Sequence, residues 1–139
     1  MTQARSEGPY IRTAPLAVQE KPQSGAVPRR IVWELTRECN LACRHCRTAS
    51  YPALSANDVS TNDVLRVIDD IAGFCRPTLV LTGGEPLRRP DIYTIAAHAR
   101  RGGAVVVLET NATLITPEVA RRIKEAGVSL VAVALDGAT

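Results

Sequence analysis

The chain has 139 residues, 45% of them hydrophobic, and a formal charge of +3 at pH 7. This is room for one small domain with a core, which excludes a disordered or fibrous chain. Aromatic residues are 4%, and the basic residues are scattered apart from pairs such as Arg88-Arg89 and Arg121-Arg122, so the dense basic stripe with interleaved aromatics of a nucleic-acid binder is missing. No apolar run approaches the roughly 20 residues that span a bilayer, and the start MTQARSEGPY lacks the layout of a secretion signal. The expectation is a cytoplasmic protein with neither nucleic-acid nor membrane partners, its cysteines present as reduced thiols available to metal.

Residues 1–28 carry Pro9, Pro15, Pro22 and Pro28 among Gly, Ser, Gln and Thr and read as a flexible leader, with one domain over 29–139. From Ile31 the pattern alternates. Strands are predicted at Ile31–Thr36, Thr78–Thr82, Ala104–Glu109 and Ser129–Leu135, each short and apolar on both faces, as in a buried parallel sheet. Between them, a first helix over Thr61–Phe74 has Ser60 or Thr61 as N-cap and an apolar stripe of Val64, Ile68, Ile71 and Cys75. A second starts at Pro90 or Asp91 and stops at Gly102-Gly103. A third begins with Thr116, Pro117 and Glu118 and ends at Gly127. The fold class is therefore α/β, a parallel βαβαβαβ sheet with right-handed crossovers.

In such sheets, sites form on loops at the C-terminal ends of strands. Four motifs fall there. Cys39, Cys43 and Cys46, spaced C-x-x-x-C-x-x-C, follow the first strand; Gly83-Gly84-Glu85-Pro86 follows the second; Thr110-Asn111 the third; Asp136-Gly137 the fourth. Three thiolates on one loop hold three corners of a 4Fe–4S cluster and leave one iron open. Glycines let backbone approach a ligand closely, and Glu85 offers charge to the ammonium of a zwitterion; taken alone, the glycine pair reads equally as a plain strand-to-helix turn. Structural zinc is the alternative for the cysteines. His45 and His98 are the available imidazoles, but the second C-x-x-C cluster of most structural zinc sites is absent and His45 is adjacent to Cys46. Cys75, isolated from the three, reads as a buried structural cysteine. Glu34 and Thr36 make one face of the first strand partly polar, facing a substrate-holding interior or a neighbouring Arg.

On these residues the chain resembles the radical S-adenosylmethionine (SAM) enzymes, from about Arg29 to the last residue. The resemblance implies a partial TIM barrel of six strand–helix units, of which about three and a half are present, and hence a fragment of a longer protein. It implies a 4Fe–4S cluster on Cys39, Cys43 and Cys46, with SAM chelating the open iron and Gly83, Gly84 and Glu85 at its methionine amino group. His45, just before the last cysteine, would stack near the adenine or remain a solvated loop residue; Asn111 and Asp136 are weaker candidates for polar contacts. Two positions depart from the family pattern: Ala112 replaces the glycine after Thr110-Asn111, which puts a tight φ > 0 turn there in doubt, and Ala134 replaces a serine that would meet the ribose. The implied reaction is reductive cleavage of SAM to a 5′-deoxyadenosyl radical that abstracts a substrate hydrogen. An electron donor of the flavodoxin or ferredoxin type and a small-molecule or peptide substrate are its implied partners. IVWELTRECNLACRHC, LVLTGGEPLRRPDIY and ALDGA look most like the branch with an additional C-terminal iron–sulfur (SPASM-type) domain, which includes haem and haem d1 biosynthesis enzymes and peptide maturases. The rival readings are a non-catalytic zinc module and an inactive truncated product.

Overall fold

A computed structural model describes residues 26–46 and 58–135; most of the expected leader, and Asp136, lie outside them. Four short segments rich in Val, Leu and Ile form β1 (Arg30–Glu34), β2 (Thr78–Thr82), β3 (Val105–Thr110) and β4 (Leu130–Val133). They pair in parallel in chain order, β1-β2-β3-β4. The connections carry α1 (Thr61–Phe74), a 3₁₀ turn over Pro86–Arg88 followed by α2 (Ile92–Arg101), and α3 (Pro117–Glu125).

The register fixes which residues share a face. Trp33 lies beside Leu81, Leu81 beside Leu108, and Leu108 beside Val131. This row, with Leu79 and Val106, packs against Val64 and Ile68 of α1, Ile92 and Ile95 of α2 and Ile123 of α3 in one core. All three helices therefore cover the same face, as in barrel winding. The sequence pattern suggested burial on both faces, and here the structure differs. On the opposite face Val80 and Val107 are buried, but Val32 is 53% exposed and Leu130 59%. With every helix on one side, nothing among the described residues packs over those flanking strands. Apolarity on both faces fits an interior-facing barrel wall as well as a doubly covered sheet.

The helix signals work locally. Ser60 Oγ accepts from Asp63 N at 3.2 Å, and Thr116 Oγ1 accepts from Val119 N at 3.2 Å with Pro117 in the first turn. Gly127, at φ 77°, ends α3. α2 starts at Ile92, with Asp91 in the cap position making no cap bond. The Asp91 carboxylate is taken by Arg89, at 2.7 and 2.9 Å, and by Thr61 Oγ1 at 2.5 Å. Burial pushes its pKa up, but these hydrogen bonds and the Arg89 charge outweigh that and hold it below the ordinary value. The stability this contributes is present above the ordinary carboxylate range and is lost as pH falls through the depressed value. Arg89 is itself buried and also donates to Leu35 O and Val59 O at 2.8 Å, tying the end of β1 to the start of α1. Cys75 is buried at the end of α1, as its place on the apolar stripe suggested.

The turn after β3 survives without its glycine. Ala112 takes φ 61°, the one positive value at a non-glycine residue among those described. Its N–H donates to Thr110 Oγ1 at 3.0 Å, and Ile115 N returns to Ala112 O at 3.1 Å. These bonds hold alanine in a region that costs an L-residue about 1–2 kcal/mol. Ala112→Gly should therefore raise unfolding stability by roughly 0.5–1 kcal/mol, the strain relief less the added unfolded-state entropy. Denaturant melts check this, and a destabilised glycine variant would contradict the strain.

Candidate functional site

The loops after β1 and β2 meet backbone to backbone. Gly84 N–H donates to Thr36 O at 2.8 Å, and Glu85 N–H to Glu38 O at 2.7 Å. This approach explains the glycines. A Cβ on Gly83 would lie 2.4 Å from Thr36 O, and one on Gly84 2.3 Å from Glu38 O. The pair thus has a role the sequence did not suggest: it brings the second loop against the root of the cysteine loop, quite apart from any ligand.

Glu85, expected beside the ammonium of a bound zwitterion, has a fully buried side chain and a structural part of its own. Oε1 accepts from Thr110 Oγ1 at 2.8 Å and from Leu87 N at 3.0 Å; Oε2 accepts from Asn111 N at 2.9 Å. The carboxylate sits beneath the cleft and joins the β2 and β3 loops. A carboxylate is a pure acceptor, and three convergent N–H and O–H donors are what make its burial tolerable.

Above it lies a cleft of about 270 Å³, walled by Cys39, Cys43, His45 and Cys46 of the first loop, Gly83 and Gly84 of the second, Thr110 and Asn111 of the third, and Ala134 after β4. Four strand ends therefore contribute to one concavity, as the loop placement predicted. Cys39 is buried, while His45, Cys43 and Cys46 are exposed at the rim, where Cys46 N–H closes a turn on Cys43 O at 3.1 Å. Among the described residues no three His, Cys, Asp or Glu side chains converge on one point as ligands of a single ion. His98 is paired with Asp69 at 2.6 Å and is not part of the cleft wall. Three thiols of one loop on one cleft, with His98 elsewhere, fit the donor set of a 4Fe–4S cluster that leaves one iron open.

Other participants escaped sequence reasoning. Glu109 lines the cleft with an exposed carboxylate; its signal was its place near the C-terminal end of β3, out of phase with Leu108. Glu34 is exposed on the same sheet face and makes no ion pair among the described residues. Glu38, just before Cys39, is buried and paired with Arg88, its Oε2 without a partner among the described residues. Thr36 Oγ1 accepts from Glu38 N at 3.0 Å and donates to Asp58 at 2.5 Å. The Arg88-Arg89 pair braces both loops from below. Asp136 lies outside the described residues.

Glu85→Ala removes the shared acceptor of three donors and leaves a void, which should cost roughly 2–4 kcal/mol of unfolding stability. A loss well under 1 kcal/mol in chemical denaturation would show that the carboxylate is not the brace described.

A family model described as the Radical SAM superfamily matches residues 33–139. An "AdoMet-dependent heme synthase" of Methanosarcina barkeri is 47% identical over 111 residues, covering 80% of this chain and 32% of that protein. The "Mycofactocin maturase MftC" of Mycobacterium tuberculosis is 37% identical over 112 residues, covering 81% and 28%. The solved structure described as BtrN in complex with AdoMet and 2-DOIA shares the fold at TM-score 0.65 and 15% identity, covering 82% of this chain and 48% of that one. The chain thus spans about 30% of the length of these curated relatives. The family match takes in the cysteine loop, the glycine–glutamate loop and the turn after β3, and with it the chain belongs to the radical SAM superfamily, whose enzymes use a 4Fe–4S cluster and SAM.

Proposed function

We propose that this chain is the cluster- and SAM-holding part of a radical SAM enzyme. The observation that carries the reading is the convergence of the three cysteines and the Gly83-Gly84 backbone on one cleft. Cys39, Cys43 and Cys46 would be the three thiolate ligands. When bound, such a cluster would supply the electron for reductive cleavage of SAM, the source of a radical able to abstract a substrate hydrogen. The chain's own residues bind, orient and exclude water. Gly83 and Gly84 would offer backbone acceptors to the amino group of SAM, held in place by the buried Glu85. Glu109 supplies negative charge at the cleft wall. The His45 ring, exposed at the rim, would cover the adenine, and Asn111 and Asp136 would contribute polar contacts.

The exposed rim cysteines would let a flavodoxin- or ferredoxin-like donor approach the cluster, and a thiolate-held cluster would suit the reducing cytoplasm. No helix among the described residues is long and apolar enough to cross a membrane. For the substrate we favour a tetrapyrrole over a peptide, because the heme synthase shares 47% identity with this chain and the mycofactocin maturase 37%.

Anaerobic reconstitution with iron and sulfide should give a brown protein with about four irons per chain. Cys39→Ala, Cys43→Ala and Cys46→Ala should each abolish it, whereas Cys75→Ala, remote from the cleft, should keep the full iron content. Stoichiometric zinc with no competence for iron would favour the structural-metal reading instead.

A further inference from the structure

Cys39 differs from its two companions. It is 8% exposed, and two N–H groups point at its sulfur: Leu41 N at 3.4 Å and Asn111 Nδ2 at 3.8 Å. The Asn111 contact lies within the longer range that sulfur acceptors take. The orientation of the Asn111 amide is fixed by its other end. Thr113 N–H donates to Asn111 Oδ1 at 3.0 Å, and since a backbone N–H only donates, the oxygen must face Thr113 and the NH₂ must face Cys39.

The remaining bonds close a ring. Thr113 Oγ1 donates to Asn111 Oδ1 at 2.7 Å and accepts from Asn40 Nδ2 at 2.7 Å, while Asn111 Nδ2 donates to Asn40 Oδ1 at 3.1 Å. Every proton is used consistently: the one hydroxyl hydrogen goes to Asn111, and the two Asn111 amide hydrogens go to Asn40 and to Cys39. The ring ties the residue after Cys39 to the turn after β3, the turn for which Ala112 bears positive φ.

We propose that Asn40, Asn111 and Thr113 form a positioning ring that holds an N–H on the Cys39 sulfur and so raises the reduction potential of the cluster. This rests on the cluster reading above. A one-electron reduction adds negative charge that spreads onto the ligand sulfurs, and a hydrogen bond to sulfur stabilises the reduced form more than the oxidised one. A bond of ordinary net strength shifts such an equilibrium about two- to tenfold, tenfold being 59 mV for one electron.

The test is a redox titration of the reconstituted chain, followed by electron paramagnetic resonance in the absence of SAM, so that contacts to SAM play no part. Asn111→Asp keeps an oxygen for Thr113 N–H but turns an acceptor charge toward Cys39. It should keep about four irons and shift the reduction equilibrium at least tenfold against the reduced form. Thr113→Val removes one of the two anchors of Asn111 and should shift it the same way by less. A fully loaded Asn111→Asp protein with an unchanged potential overturns the proposal. If that variant takes up no iron, Thr113→Val decides, with a lowered potential supporting the ring and an unchanged one refuting it. An unmodified chain that binds no iron would bring down the cluster reading itself, and is distinguishable because no potential exists to measure.

Discussion

The buried carboxylate of Glu85 is the constraint on which the site depends. Its oxygens accept from Thr110 Oγ1, Leu87 N and Asn111 N, and its own backbone N–H donates to Glu38 O. One residue therefore fastens the loops after β1, β2 and β3. A buried charge without such donors would be costly, so each loop is held in the place that satisfies it. The glycines before it are the steric condition for this arrangement, since a Cβ at either would enter the space of a carbonyl oxygen at the root of the cysteine loop. Charge and clearance act together: the first fixes the loops, the second lets them come close enough to be fixed.

From that junction the rest of the site follows upward. Cys39 is held down beside the junction, while Cys43 and Cys46 stay at the rim. Below it, Arg89 crosses from the 3₁₀ turn to the end of β1 and the start of α1, and Arg88 pairs with Glu38 directly before Cys39. Strain is accepted where the geometry demands it: Ala112 stays at positive φ because Thr110 and Ile115 bond around it.

Much of this was legible in the sequence. The bounds of β2 and α1 coincide with those read from periodicity and capping, because a β-branched and leucine-rich run and a Ser60 cap are local signals. The gathering of four loops at one sheet edge followed from strand order alone. What could not be read depends on contacts far apart in the chain. Glu85 reads as a ligand by type and place, and its bonds to Thr110 and Asn111 emerge only once the fold sets the β3 loop beside it. The burial of one sheet face followed from all three helices lying on one side, which apolar strands do not reveal. Asn40 and Thr113 carry no motif at all, and they matter only because the fold brings positions 73 residues apart within 2.7 Å.

If the cleft above Glu85 holds a cluster whose open iron takes SAM, the electron paramagnetic resonance spectrum of the reduced, reconstituted chain must respond to SAM carrying ¹⁷O in its carboxylate. SAM should shift the g-values, and the labelled oxygen should broaden or couple to the signal, as a ligand in the coordination sphere of one iron does. A fully loaded cluster whose spectrum ignores saturating SAM would contradict that assignment.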